Sequence, residues 1–374
     1  MAGIYIHIPF CRKACHYCNF HFSTTLKNKN EVIEAITHEI TLQRNYLNEP
    51  VDTIYFGGGT PSLLNVVEIQ KLLHAIKEHF QVSSSAEITL ESNPDDIVKG
   101  KLNEWKNAGI NRLSIGVQSF FEKDLQWMNR AHNATQAKQS ILLAKAEGFE
   151  NITIDLIYGI PILSDEEWIQ NIETAIDLHV PHLSCYALTV EQGTALSKMI
   201  GQKKKESTDD EKQQRHFTIL LNRTATAGFE HYEISNFAKP DFRSRHNSSY
   251  WNGKSYLGVG PSAHSFKGNT RQWNISNNAL YVKSIRQNIV PFEIETLTPV
   301  QQANEYIMTS IRTMEGVSFG AIKHRWGAGY EKQILNTATK YINHGLAEIK
   351  DDHLVLTENG KFYADGIAAE LFFT

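Results

Sequence analysis

GIYIHIPFCRKACHYC, residues 3–18, runs from an alternating apolar stretch straight into three cysteines. Gly3 to Ile8 reads as a strand, because its side chains alternate with period two. Pro9 cannot donate to a sheet ladder, so it ends that strand and begins a loop. Cys11, Cys15 and Cys18 therefore share one short loop at a strand's carboxyl end. Three thiolates so placed can close around a compact metal centre. A [4Fe-4S] cluster usually takes four protein thiolates, so three leave one iron open. An open coordination position is how a metal centre binds and activates another molecule, as catalytic zinc does. Two other readings stay open on spacing alone. A structural zinc site would need a fourth ligand, which His7, His16 or His21 could supply. A redox dithiol would use one Cys-x-x-Cys pair and leave the third cysteine without a role. The remaining thiol, Cys185, lies in an apolar run and reads as a small buried hydrophobe.

Outward from this loop the strand pattern repeats at DTIYFG (52–57), EITLES (87–92), RLSIGV (112–117), ITIDLI (152–157) and HLSCYAL (182–188). Helical spacing fills the gaps, with Ile33, Ile36, Ile40 and Leu47 in the first and Val66, Ile69, Leu73, Ile76 and Phe80 in the second. The alternation predicts an α/β fold on a parallel sheet of about six strands. An open doubly wound sheet and a curved barrel both satisfy right-handed crossovers, and periodicity does not separate them. In either, functional groups gather at the carboxyl ends of the strands. Those ends hold Gly57 to Thr60, Glu91 to Asn93, Gln118, Asp155 and the segment after Tyr186.

The chain has 374 residues, 41% hydrophobic and 21% charged, with four cysteines, which excludes a disordered chain and a disulfide-stapled scaffold. Its length suits two to three domains, or one barrel-sized domain with an appendage. A net charge of −4 with scattered Lys and Arg offers no basic stripe, so no nucleic-acid partner is expected. No signal-peptide pattern opens the sequence and no run approaches the ~20 apolar residues of a transmembrane segment. A cytoplasmic location, where thiols stay reduced, follows as the expectation. Residues near 200 form a charged loop, with Lys203 to Lys205 read as surface, leading to a helix over 209–227. From about residue 298 three helical segments and a small hairpin suggest a winged-helix-like appendage without a basic recognition helix. The expected division is 1–230, 231–297 and 298–374.

The Cys-x-x-x-Cys-x-Tyr-Cys loop after a first strand resembles the signature of radical S-adenosylmethionine (SAM) proteins. From Tyr5 onward the chain resembles the subgroup comprising oxygen-independent coproporphyrinogen III oxidase and related haem chaperones. IHIPFC, YFGGGTPSLL, ESNPD, GVQSF, DLIYGIP and HNSSYW lie in the expected order. The resemblance implies a partial (β/α)6 barrel with a C-terminal, mostly helical, winged-helix-like domain. It implies a [4Fe-4S] cluster on Cys11, Cys15 and Cys18, whose open iron is chelated by SAM. On reduction, SAM in such proteins yields a 5′-deoxyadenosyl radical.

The glycine run 57–59 fits neither the dinucleotide fingerprint nor the Walker loop, and alone reads as a turn allowing close backbone approach. By resemblance, Gly58, Gly59 and Thr60 face the SAM amino group. Tyr5, Tyr17, Glu91, Gln118, Arg130, Asp155 and Ala187 line the SAM pocket or that of a second molecule. Glu91 would hold cationic or hydroxyl parts of SAM, and Arg130 would pair with its carboxylate. Taken alone, HNSSYW is a histidine packed beside aromatics, although an imidazole flanked by flat rings also suits haem. The resemblance makes His246, Asn247, Tyr250 and Trp251 a haem-associated motif, with His264 of GPSAHSF a lesser candidate.

The oxidase branch usually carries a longer N-terminal extension and another cysteine two positions after the third. Here the first strand starts at once and position 20 is Phe20. The expectation is therefore a haem chaperone that transfers haem to haem-requiring apoproteins, respiratory ones included, with no catalytic residue assigned and room for a homodimer. The alternatives are oxidative decarboxylation of coproporphyrinogen III and radical-SAM chemistry on an unrelated substrate.

Overall fold

The computed structural model describes residues 2–374. Strands β1 (Ala2–Ile8), β2 (Val51–Gly58), β3 (Val82–Ser92), β4 (Arg112–Gln118), β5 (Asn151–Tyr158) and β6 (His182–Ala187) pair in sequence order, all parallel. A doubly wound sheet reverses its strand order part-way across, and this one does not. With right-handed crossovers, unreversed order puts every connecting helix on the same face. The opposite face becomes an interior, and the sheet is a partial barrel.

The helices form for local reasons. Val66–His79 opens on a reciprocal capping box between Asn65 and Glu68, and Asp165–Asp177 on one between Ser164 and Glu167. The former buries Ile69, Leu72, Leu73 and Ile76 against the sheet. The first helix, Lys29–Leu42, stops before Leu47, which is buried from the turn that follows. Ile4, Ile6 and Ile8 of β1 are fully buried, each contributing roughly 1.5–3 kcal/mol.

The barrel stays open. The outer edge of β1 pairs with β9 (Tyr256–Val259), which continues antiparallel into β10 (His264–Lys267), β11 (Thr270–Asn274) and β12 (Phe292–Thr296). The outer edge of β6 pairs with β8 (Asn236–Ala238), and β8 with β7 (Glu230–Glu233). The sheet thus has twelve strands. Buried Glu39 of the first helix anchors the β9 side, accepting from the Gly260 amide (2.7 Å), Asn274 Nδ2 (2.7 Å) and the Tyr281 hydroxyl (2.5 Å).

The C-terminal helices Pro299–Ser310, Phe319–Trp326 and Ala328–Asn343 share a second core with the hairpin Ala347–Lys350/His353–Leu356 and a last helix, Ala364–Leu371. This unit reaches both ends of the large sheet. Ile234 donates its amide to the Arg312 carbonyl and Met314 to that of Tyr232, both at 3.1 Å. Across the gap, Arg271 pairs with Glu305 at 2.9 Å. Among the described residues no helix is long and apolar enough to cross a membrane.

Candidate functional site

The cysteine loop is pinned at its root, where Cys11 N–H donates to the Ser23 carbonyl (3.0 Å) and Ser23 N–H to that of Pro9 (2.9 Å). Its middle is held from outside, with His16 N–H on the Met128 carbonyl (3.1 Å) and Leu196 N–H on that of His16 (2.7 Å). Lys205, read from sequence as plain surface, lies over the Trp127 ring at 3.9 Å and 3.0 Å from His16 Nδ1. It is part of the loop's support.

All three thiols are free and half-buried. Among the described residues no group of three or more His, Cys, Asp and Glu converges on a single ion position. Donors are already aimed at the sulfurs: Thr60 Oγ1 lies 3.5 Å from Cys11 Sγ, and Arg130 Nη1 3.2 Å from Cys15 Sγ. Hydrogen bonds to cluster sulfurs are one means by which proteins tune such centres. Burial pushes the Cys11 thiol up to about 11, and coordination to a metal removes such a proton outright.

The glycine run packs against that loop. Gly58 has φ +107°, and a Cβ there would lie 2.7 Å from the His7 ring; one at Gly59 would lie 2.6 Å from the Phe10 carbonyl. The Gly59 amide bonds the Ile8 carbonyl at 2.9 Å. Glycine thus brings the end of β2 against the root of the cysteine loop.

Across the mouth, Glu91 accepts from the Tyr55 hydroxyl (2.8 Å) and the Gly58 amide (3.2 Å). Burial raises its carboxyl to about 8, with Asp155 adding to the rise, and burial raises Asp155 to about 7. Arg130 and Arg112 act against the rise at Asp155, although neither carboxylate forms an ion pair with a Lys or Arg among the described residues. Arg130 is held by Asn93 Oδ1 and the Gly116 carbonyl, both at 2.8 Å, and reaches Tyr17 at 3.3 Å. Tyr5 lies beside Tyr55, ring centroids 6.1 Å apart. Gln118 is buried with φ +70°, where the β4–β5 register shifts. Ala187 ends β6 opposite Tyr158. The sequence reading missed Tyr55 as a support, and it placed Asn93 at a strand's carboxyl end without giving it a role.

The HNSSYW segment forms the short helix Arg245–Trp251. His246 sits inside the barrel toward the amino ends of the strands. Its Nδ1 is 2.7 Å from Thr53 Oγ1, its Nε2 is 2.7 Å from the Tyr250 hydroxyl, and its ring stacks on Tyr55 at 4.9 Å. Glu87 accepts from its backbone amide at 3.0 Å. Burial lowers the imidazole to about 3, so it is neutral. Asn247 caps back to Ser244 through its amide (3.3 Å). Tyr250, its hydroxyl on His246, and Trp251 line a cleft of about 1100 Å³ between the barrel and the C-terminal unit. Tyr5, His7 and Phe20 form its barrel side, and Tyr306 and Trp326 its far side. Those C-terminal aromatics carry no signal in the sequence.

A Radical SAM superfamily profile matches residues 5–175, and a HemN C-terminal domain profile matches 297–363. The haem chaperone HemW of Mycobacterium tuberculosis is 32% identical, across 99% of this chain and 94% of its own. That of Bacillus subtilis is 31% identical, across 98% of both. The chain belongs to the HemW family. The Escherichia coli coproporphyrinogen III oxidase HemN shares the fold of this HemW-family chain, with a TM-score of 0.86 across 99% of this chain and 90% of that one. At 22% identity that likeness speaks for the fold alone. It places the HemW-family chain in the partial-barrel architecture that the resemblance implied.

Proposed function

We propose that this protein is a haem chaperone holding a [4Fe-4S] cluster on Cys11, Cys15 and Cys18, with SAM at the barrel mouth and haem in the adjoining cleft. Full-length similarity to HemW chaperones supports the haem assignment. The carrying structural observation is the pair of buried, unpaired carboxyls, Glu91 and Asp155, beside the three thiols. Burial makes the ionised form of each costly, and the cationic amine and sulfonium of SAM would stabilise that form. When bound, the cluster and SAM supply one-electron chemistry. The chain's own residues position and exclude water. Glu91 takes the cation, Arg130 takes a carboxylate oxygen with its Nε–H, the donor that Cys15, Tyr17, Asn93 and Gly116 leave, and the glycine run admits the ligand close to the backbone. Gln118, Tyr5, Tyr17 and Ala187 complete the wall.

Tyr250 and Trp251 offer flat apolar surface to a macrocycle in the cleft, from which it passes to an acceptor. The acceptors on this reading are haem-requiring apoproteins, including respiratory ones, met in the reducing cytoplasm that keeps cluster thiols free. The barrel (1–230), the haem-associated segment (231–297) and the C-terminal unit (298–374) divide these tasks, and a homodimer through the cluster face suits the scheme.

Anaerobic cluster reconstitution, followed by haem titration and by a coproporphyrinogen III turnover assay with SAM and a reductant, tests the proposal. Stoichiometric haem uptake without decarboxylation is expected. Catalytic turnover of coproporphyrinogen III would mean the oxidase reading is the right one.

A further inference from the structure

His246 has no nitrogen to offer an iron: one bonds Thr53, the other Tyr250, and the ring is 1% exposed. A haem held in the cleft needs its axial ligand from the cleft wall. Five imidazoles there can be compared directly, of which His353 uses Nδ1 on the Asp351 carbonyl (2.7 Å). His7 uses Nδ1 on Tyr5 (3.1 Å) and Nε2 on the His21 carbonyl (3.0 Å), and His21 uses Nε2 on Asn278 (2.8 Å). His324 lies exposed in the last turn of a C-terminal helix. His264 is the imidazole that is both without a hydrogen bond among the described residues and fixed in a sheet strand, opposite Trp273 in the β10–β11 hairpin. The two rings stack at 6.3 Å, which orients the imidazole.

The same hairpin carries the other half of a haem site. Phe266 faces Arg271 across the ladder. Phe266 follows His264 by two positions, so it shares its face, roughly 7 Å along the strand. His264, Phe266 and Arg271 all line the cleft. Arg271 places Nη2 on Glu305 (2.9 Å) and has Glu295 3.9 Å from its buried Nε, which makes no hydrogen bond; the buried Nε1–H of Trp251 in the same wall also has no hydrogen-bond partner among the described residues. Buried donors left without a hydrogen bond are costly, and their presence together calls for an acceptor from outside the chain. A ligand with a flat apolar body, a metal wanting imidazole and carboxylates at its edge fits all of these.

We infer that His264 is the axial ligand to haem iron in this cleft, and that Arg271 and the Trp251 indole N–H take its propionates. This rests on the haem-chaperone reading and deepens it. Burial and nearby Arg271 lower the His264 imidazole, leaving it neutral and able to ligate. His246 acts instead as a positioning residue, seating the helix that presents Tyr250 and Trp251.

The full chain titrated with ferric haem and, separately, with iron-free protoporphyrin IX separates the roles. Outer-shell partners of metal sites already cost 10–100-fold when lost, so His264→Ala should weaken haem at least about tenfold. It should change the Soret band and leave protoporphyrin affinity unchanged, and added imidazole should restore the wild-type spectrum. Arg271→Gln should weaken both ligands while keeping the wild-type haem spectrum. Unchanged haem spectrum and affinity in His264→Ala overturns the assignment alone. A wild type that takes up no haem overturns both the assignment and the chaperone reading.

Discussion

Glu91 is held by Tyr55 and the Gly58 amide with its carboxyl raised to about 8, so at pH 7 it is mostly protonated. A cation placed beside it favours the ionised form and pulls that value down. SAM binding should therefore release close to one proton at pH 7. Calorimetry in buffers of different ionisation heat reads this directly, and the release should vanish in Glu91→Gln; its persistence would remove Glu91 from the site. Each thiol can be tested in the same way, because Cys11→Ser, Cys15→Ser or Cys18→Ser should abolish iron–sulfur absorbance after reconstitution. Gly58 is a backbone case. With φ +107° and the His7 ring in the way, Gly58→Ala should cost about 1–3 kcal/mol, seen as a lower urea midpoint. Glu91, Gln118, Arg130 and Asp155 were legible as polar residues at or just beyond strand ends, whereas their link to a cofactor, and Tyr5, Tyr17 and Ala187 altogether, came only from the family resemblance. Tyr55 was not legible, because a tyrosine inside an apolar strand looks like any other core residue.

Among the elements, the contact between the first helix and the β9–β11 extension turns on one carboxyl. Glu39 is fully buried, and burial raises it to about 7 against about 4.5 when unfolded. The folded state therefore binds the extra proton between those values. Its contribution is fully present below about pH 4.5 and is lost as pH rises through about 7. Chemical denaturation between pH 5 and 8 should show that slope, and Glu39→Ala should flatten it. The same variant leaves three donors unpaired and should lower stability by at least about 3 kcal/mol. Six core strands could be read from sequence because each is a short run of β-branched and aromatic residues at period two, bounded by turn residues. Strands β7 to β12 could not, since they are three to five residues long and β12 (FEIET) is mostly exposed. The last helix, Ala364–Leu371, escaped because it is eight residues with a glycine inside.

At the scale of the whole molecule, the C-terminal unit spans the open side of the barrel and makes a cleft from two surfaces. Trp326 belongs to that far wall. Trp326→Ala should weaken haem by about 1 kcal/mol, roughly fivefold, for a lost aromatic contact. Barrel stability and cluster absorbance should stay as in the wild type, and an unchanged haem affinity would mean the far wall does not touch the ligand. The sequence by itself determined the thiol loop, the glycine run and the parallel strands, because each is written in neighbouring residues through spacing, conformational freedom or alternation. Tertiary structure alone decided that the sheet curves and stays open, and that His246 turns inward while His264 looks into the cleft. Those outcomes depend on partners far apart in the chain, such as Thr53 with His246, 193 positions away. No local pattern encodes which way a side chain will face when its partner lies that far off.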